Sequence, residues 1–215
     1  MIEHIVVGAI ETNCWIYTWD ESGDSAVIDP GADPELIVAR LKRLNLRPRY
    51  ILLTHGHFDH IAALPELARA FPGKEPPVIA IHQEDAKYLG PEAYQVHVES
   101  FTIAAGNADY IDALWQDMPA ADVLLAEGAN IGPFKTLHLP GHTQGSVGFL
   151  DEKAKVLFSG DTLFKAGWGR TDLPGGSWPQ IQQSLRRLFT LDGSIRVYAG
   201  HGPSTTIASE QGGLL

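Results

Sequence analysis

The sequence predicts a mixed α/β (α+β) protein, on three observations. Apolar segments of strand length recur along the chain, separated by turns rich in Gly, Pro and Asp. Two of the intervening stretches instead carry apolar residues at helical spacing. Four of the apolar runs end in loops bearing His or Asp, as when strands deliver reactive side chains to the rim of a scaffold. With 215 residues, 44% of them hydrophobic, the chain can bury a sizeable core without disulfides or a structural metal, and one domain over residues 1–215 is expected.

Residues 4–8, 13–19 and 25–29 read as the first strands. The lone cysteine, Cys14, lies in the second beside Trp15-Ile16-Tyr17. It therefore reads as a core residue and not as a nucleophile, and it permits no intrachain disulfide. Asp33 offers an N-cap before Pro34, and Leu36, Ile37, Leu41 and Leu44 form one apolar stripe of a helix covering a sheet face. Tyr50-Ile51-Leu52-Leu53 is a buried strand. Pro65 opens a short helix through Phe71, which Pro72-Gly73 ends, and 77–81 is another buried strand.

Residues 84–118 break the pattern, with Tyr88, Tyr94, Phe101, Tyr110 and Trp115 among Gly, Pro and acidic residues. This stretch reads either as a lid over the site or as a helical excursion whose aromatics pack on the scaffold. His97 within it reads as an ordinary structural histidine. Strands resume at 122–126, 134–139, 146–150 and 155–159. Ser177 and Gln180 have capping-box spacing ahead of a helix burying Ile181, Leu185, Leu188 and Phe189, and strand 195–199 follows.

The chemistry concentrates in Thr54-His55-Gly56-His57-Phe58-Asp59-His60, directly after a buried strand. A strand alternates its side chains and a turn redirects them, so His55 and His57 can face one way and Asp59 and His60 another. Imidazole and carboxylate are ligands for borderline divalent ions, and a catalytic ion takes three protein groups with a position left open. Two neighbouring ions are the natural reading, and four candidates do not complete both. His142, Asp161 and His201 supply the remainder, each in a Gly-flanked loop after an apolar run, where glycine permits close backbone approach. Asp29, in an Asp-Pro-Gly turn at a strand end, reads as a carboxylate that orients a ligand or its loop, or else as a simple turn former.

The ordered set Ile28-Asp29-Pro30-Gly31, His55 to His60, Gly141-His142-Thr143, Gly160-Asp161 and Gly200-His201 resembles the five motifs of the metallo-β-lactamase-fold hydrolases. More narrowly, Gly160-Asp161-Thr162-Leu163-Phe164, Gly169-Arg170-Thr171-Asp172 and Gly200-His201-Gly202-Pro203-Ser204-Thr205-Thr206 resemble the compact glyoxalase II-like (hydroxyacylglutathione hydrolase-like) subgroup. The resemblance implies a four-layer αββα sandwich. It also implies that His55, His57 and His142 hold one ion, that Asp59, His60 and His201 hold a second, and that Asp161 bridges them. Zinc is the expected metal, with iron and manganese as alternatives. The implied reaction is hydrolysis of a small-molecule thioester such as S-D-lactoylglutathione by a metal-bound bridging hydroxide, with Asp59 and Asp161 as the carboxylates nearest the reacting atoms.

Larger glutathione-thioester hydrolases add a helical C-terminal domain and an aromatic residue that grip the peptide tail. Here Asp172 takes the place of the aromatic, and Arg170 is the remaining candidate for binding a substrate carboxylate, or else an ion-pair partner of Asp172. Persulfide dioxygenases are the rival. They share the scaffold and hold one iron through the equivalents of His55, His142 and Asp161. Lactone opening, lactam opening and a noncatalytic metal-binding role rank below both.

The formal charge of −10, from 26 acidic and 16 basic residues, comes with no basic block, which argues against a nucleic-acid partner. The N-terminus lacks a basic region and a long apolar stretch, and no apolar run approaches the ~20 residues of a membrane span. The expectation is a soluble cytoplasmic protein.

Overall fold

A computed structural model describes residues 1–72 and 75–213. Strands β1 (Ile2–Val7), β2 (Thr12–Thr18) and β3 (Asp24–Ile28) pair antiparallel. Strands β4 (Arg47–Leu52), β5 (Val78–His82) and β6 (Val123–Leu125) then add in parallel, so spatial order follows chain order. The second six-stranded sheet contains β7 (Asn130–Ile131), β8 (Phe134–His138), β9 (Val147–Asp151), β10 (Val156–Gly160), β11 (Arg196–Ala199) and β12 (Thr205–Thr206), again adjacent in sequence order. Its β10–β11 pair is parallel, because a helical crossover separates the two strands.

Side-chain alternation along β2 shows how the layers form. Cys14 and Ile16 enter a core shared with Ile37 and Leu41 of helix α1 (Pro34–Arg43). Trp15 and Tyr17 point the opposite way, into an inter-sheet core with Phe134, Phe149 and Phe158. On the far side of the second sheet, Leu157 and Val197 meet Ile181, Leu185 and Leu188 of a helix spanning Trp178–Leu188. The result is helix, sheet, sheet, helix, the expected four layers. Burial of Cys14 pushes its thiol well above the usual range, in keeping with a core residue. Among the described residues, no helix is long and apolar enough to cross a membrane.

Several local expectations give way to tertiary structure. Leu36 is exposed, so the buried stripe of α1 is Ile37 and Leu41. Asp33 does not cap α1: its left-handed backbone (φ 51°) turns the carboxylate away, and Oδ2 accepts from the Gly8 N–H at 2.8 Å. Ser177 makes no side-chain cap, and Gln180 pairs with Gln144. A four-residue helix, α2 (Phe58–Ile61), interrupts what reads as a plain ligand loop, and α3 (Leu64–Ala70) begins one residue before Pro65. Gly73, taken as part of the α3 stop, lies outside the described residues. Residues 84–118 fold as part of a 3₁₀ turn (Gln83–Tyr88), α4 (Ala93–Ala105) and α5 (Asp109–Leu114). Completing the helices, α6 is Trp178–Leu188 and α7 is Ile207–Glu210.

Tyr17 also ties the sheets together, its hydroxyl donating to Asp151 Oδ2 on β9 at 2.8 Å in a buried setting. Tyr17→Phe leaves that oxygen unpartnered, and a loss of about 1–3 kcal/mol is expected. Urea unfolding should show a lower midpoint with an unchanged slope.

Candidate metal centre

The seven candidate ligands converge at one rim of the sandwich. Strand β4 ends at Leu52, and the loop beyond it carries His55 and His57. Helix α2 then turns Asp59 and His60 onto a second side. His142 comes from the β8–β9 loop, while Asp161 and His201 follow the adjacent ends of β10 and β11. His55, His57 and His142 form one cluster whose ligand atoms lie within 4.8 Å of one another, and Asp59, His60 and His201 form another. Asp161 stands between them. Its Oδ2 is 3.5 Å from His142 Nε2 and 3.6 Å from His201 Nε2, and its Oδ1 is 3.5 Å from His60 Nε2.

Close packing makes this convergence possible. A Cβ on Gly200 would sit 2.2 Å from Asp161 Oδ1, and one on Gly31 would sit 1.7 Å from the Asp59 carbonyl oxygen. No residue but glycine fits either place without moving the site.

Hydrogen bonds hold the imidazoles from behind. His55 Nδ1 is 3.1 Å from Thr54 Oγ1, which donates to Asp29 Oδ2 at 2.7 Å. His60 Nδ1 lies 3.1 Å from Asp29 Oδ2, and His142 Nδ1 lies 2.7 Å from the Arg170 carbonyl. With the proton on Nδ1 of His55 and His142, their Nε2 lone pairs face inward, and Nε2 of His60 is turned to the same side. Asp29, His55 and His60 also lie close enough to form a cluster. The Asp29 oxygens, however, are already engaged by the Thr54 N–H, the Thr54 hydroxyl and His60. Asp29 thus holds Thr54 and His60 from behind the cluster.

The donor set fits divalent ions on an observation independent of spacing. The buried atoms His55 Nε2, His57 Nε2, His142 Nε2 and Asp161 Oδ1 have no hydrogen-bond partner. Buried polar atoms are rarely left so, and four together, three imidazole nitrogens and a carboxylate oxygen, match the donors that divalent ions take. Burial, then the neighbouring imidazoles, holds His55 well below the usual histidine range. Burial and then His142 do the same for His57, so both are neutral donors. Burial alone would pull His60 down, but Asp59, Asp161 and Asp29 push it up to about 10. Burial opposes ionisation of Asp59, yet His60, His201 and His57 hold its carboxyl below the usual range.

Next to these groups opens a cavity of about 430 Å³, walled by Phe101, Ala104 and Ala105 of α4 and by Ile10, Phe164 and Leu173. Residues 84–118 therefore contribute one wall, while Tyr88, Phe101, Tyr110 and Trp115 pack on the α1-side core. Arg170 lines the rim, but its guanidinium forks onto Asp172 at 2.6 and 2.7 Å. Sequence reasoning missed Thr12, whose hydroxyl donates to Asp59 Oδ2 at 3.1 Å, and Asn13, whose Nδ2 donates to the carbonyls of Ala199 and Gly202 around His201. Neither residue carries a motif, and only strand pairing brings them to the site.

A model of the metallo-beta-lactamase superfamily matches residues 7–201. The chain belongs to that superfamily. Hydroxyacylglutathione hydrolase GloC of Haemophilus influenzae is 38% identical over 211 residues, covering 98% of this chain and 94% of that one. Among solved structures of the superfamily, the BLEG-1 B3 metallo-beta-lactamase aligns with a TM-score of 0.84 at 34% identity over 98% of this chain and 96% of its own. TTHA1623, in a di-iron-bound form, aligns with a TM-score of 0.80 at 33% identity over 97% and 96%.

His97, on the α4 wall, is buried, with Nε2 3.0 Å from the Tyr88 carbonyl. Burial holds its pKa at about 4 against 6.5 for a free imidazole. Between those values the unfolded chain binds a proton that the folded chain refuses. Stability from this group is thus complete above pH 6.5 and is lost as pH falls through 4, roughly 3 kcal/mol in all. Chelator-treated His97→Gln should lose correspondingly less stability than wild type between pH 7 and pH 4 in urea titrations. Identical losses would contradict the assignment.

Proposed function

We propose that this protein is a metal-dependent hydrolase of thioesters, S-D-lactoylglutathione among them. The observation that carries the reading is the convergence of four unpartnered buried donor atoms beside a largely apolar cleft. Likeness to the Haemophilus influenzae hydroxyacylglutathione hydrolase over nearly the whole of both chains supports the thioester class.

In this reading His55, His57 and His142 hold one ion, Asp59, His60 and His201 hold the second, and Asp161 reaches both. Bound there, a pair of divalent ions, zinc by preference, supplies Lewis acidity and lowers the pKa of a coordinated water. The protein contributes orientation. Asp29, Thr54 and the Arg170 carbonyl fix three imidazoles, and outer hydrogen bonds of this kind typically govern affinity as well as geometry. Asp59, kept ionised by its histidine neighbours and oriented by Thr12, accepts a hydrogen bond from the attacking water. The α4 wall, Ile10 and Phe164 give the cleft an apolar lining against which a substrate can displace water. Residues 84–118 act as the cover of the cleft within a single 1–215 domain.

Arg170 binds substrate carboxylates weakly in this scheme, because Asp172 already neutralises it at an exposed site. A mononuclear-iron persulfide dioxygenase is the second reading, favoured by the proximity of His142 and Asp161, whose nearest atoms are 3.5 Å apart. The full Asp59, His60 and His201 cluster, unneeded for one iron, weighs against it.

Elemental analysis of protein purified without added metal, with S-D-lactoylglutathione hydrolysis and oxygen uptake on glutathione persulfide measured on the same sample, tests the choice. About two ions per chain with thioester cleavage is the expected result, whereas one iron with oxygen consumption would replace the hydrolase by the dioxygenase. Asp161→Asn should lower kcat by at least about 100-fold and reduce metal content. Arg170→Ala should raise KM by no more than about fivefold with kcat unchanged.

A further inference from the structure

Asp85 belongs to neither cluster, yet it touches both loops that carry the three-imidazole group. It is buried on the 3₁₀ turn after β5. Its Oδ2 accepts from the N–H of Gly56, the residue between His55 and His57, at 3.0 Å. The same oxygen accepts from the hydroxyl of Thr143, the neighbour of His142, at 2.7 Å. Oδ1 accepts from the Gly145 N–H at 2.9 Å. Three donors thus solvate a buried carboxylate, as such a group requires.

The turn is also pressed against both loops. A Cβ on Gly56 would lie 2.1 Å from the Tyr88 side chain, and one on Gly145 would lie 2.5 Å from Asp85 Cγ. Neither loop can shift toward the turn, and the hydrogen bonds stop either from moving away. Asp59, His60 and His201 are secured by other groups, namely Thr12, Asp29 and Asn13.

We propose that Asp85 is a positioning residue that sets the separation of His55 and His57 from His142, and hence the affinity of that cluster alone for a divalent ion. Asp85→Asn replaces one accepting oxygen by an NH₂ facing the N–H of Gly56 or of Gly145, so at least one tie between the loops breaks.

The test is zinc affinity, measured by competition with a chromophoric chelator in two backgrounds. His201→Ala retains the three-imidazole cluster, and His142→Ala retains the other. Adding Asp85→Asn should lower zinc affinity about 10- to 100-fold in the first and no more than about twofold in the second. Equal losses in both backgrounds, or no loss in the first, would overturn the proposal. If Asp85→Asn fails to fold, Thr143→Val decides: it removes one of the three bonds and should give a smaller loss confined to the same background, and a loss without that preference counts against the proposal. The inference rests on the clusters being ion sites. A wild-type chain that takes up no zinc would defeat that reading and the inference together, whereas loss without site preference defeats the inference alone.

Discussion

Asp29 accepts three hydrogen bonds, from the Thr54 N–H, the Thr54 hydroxyl and His60 Nδ1, and this grip decides what the rest of the site can do. It joins the end of β3 to the first residues beyond β4 and to α2. It also holds Nδ1 of His60 and, through Thr54, Nδ1 of His55, so that both Nε2 atoms face inward. The residue sits at φ 53°, a backbone state that few side chains other than Asp and Asn adopt readily. Asp thus serves both the turn and the carboxylate role, the two readings that its sequence position left open.

Such a site costs stability before anything binds. Buried nitrogen and oxygen atoms without partners are unfavourable, and the metal-free chain holds four together. The three apolar cores around the sheets offset this, and the α1-side core meets the site cavity through Phe58 and Phe101. Polar residues form the shell around the ligands: Thr12, Thr54, Asp29, Asp85 and Thr143 all lie at 1% exposure. Donor positions are thereby fixed without apolar atoms competing for the space.

The residues that converge at the rim were legible in the sequence because their chemistry is scarce and their glycines are forced. Few residue types bind divalent ions, and Gly31 and Gly200 sit where a side chain would collide with Asp59 or Asp161. The strands were legible from alternation, and the parallel β10–β11 pair is consistent with the helix between them. Features that depend on distant partners were not. The capping signals at Asp33 and Ser177 were misleading: Gly8 claims the Asp33 carboxylate, and Ser177 makes no side-chain cap while Gln180 pairs with Gln144. Leu36 shares the spacing of Ile37 and Leu41 but falls at the edge of the apolar arc, so periodicity alone placed it wrongly. Asp85 and Thr12 act through residues tens of positions away, and nothing local distinguishes them from any other polar residue.

The ligands do not all belong to one sheet. His55, His57, Asp59 and His60 follow β4 of the first, whereas His142, Asp161 and His201 hang from the second. The inter-sheet core, in which Trp15, Tyr17, Phe134 and Phe158 pack with aliphatic residues such as Ile28 and Val147, and hydrogen bonds across the seam hold those halves in register. An ion held by residues of both groups would therefore act as a clasp across the sandwich, sharing its binding free energy with the cohesion of the two sheets. Residues of the inter-sheet core that never meet the ion would thereby contribute to how tightly it is held.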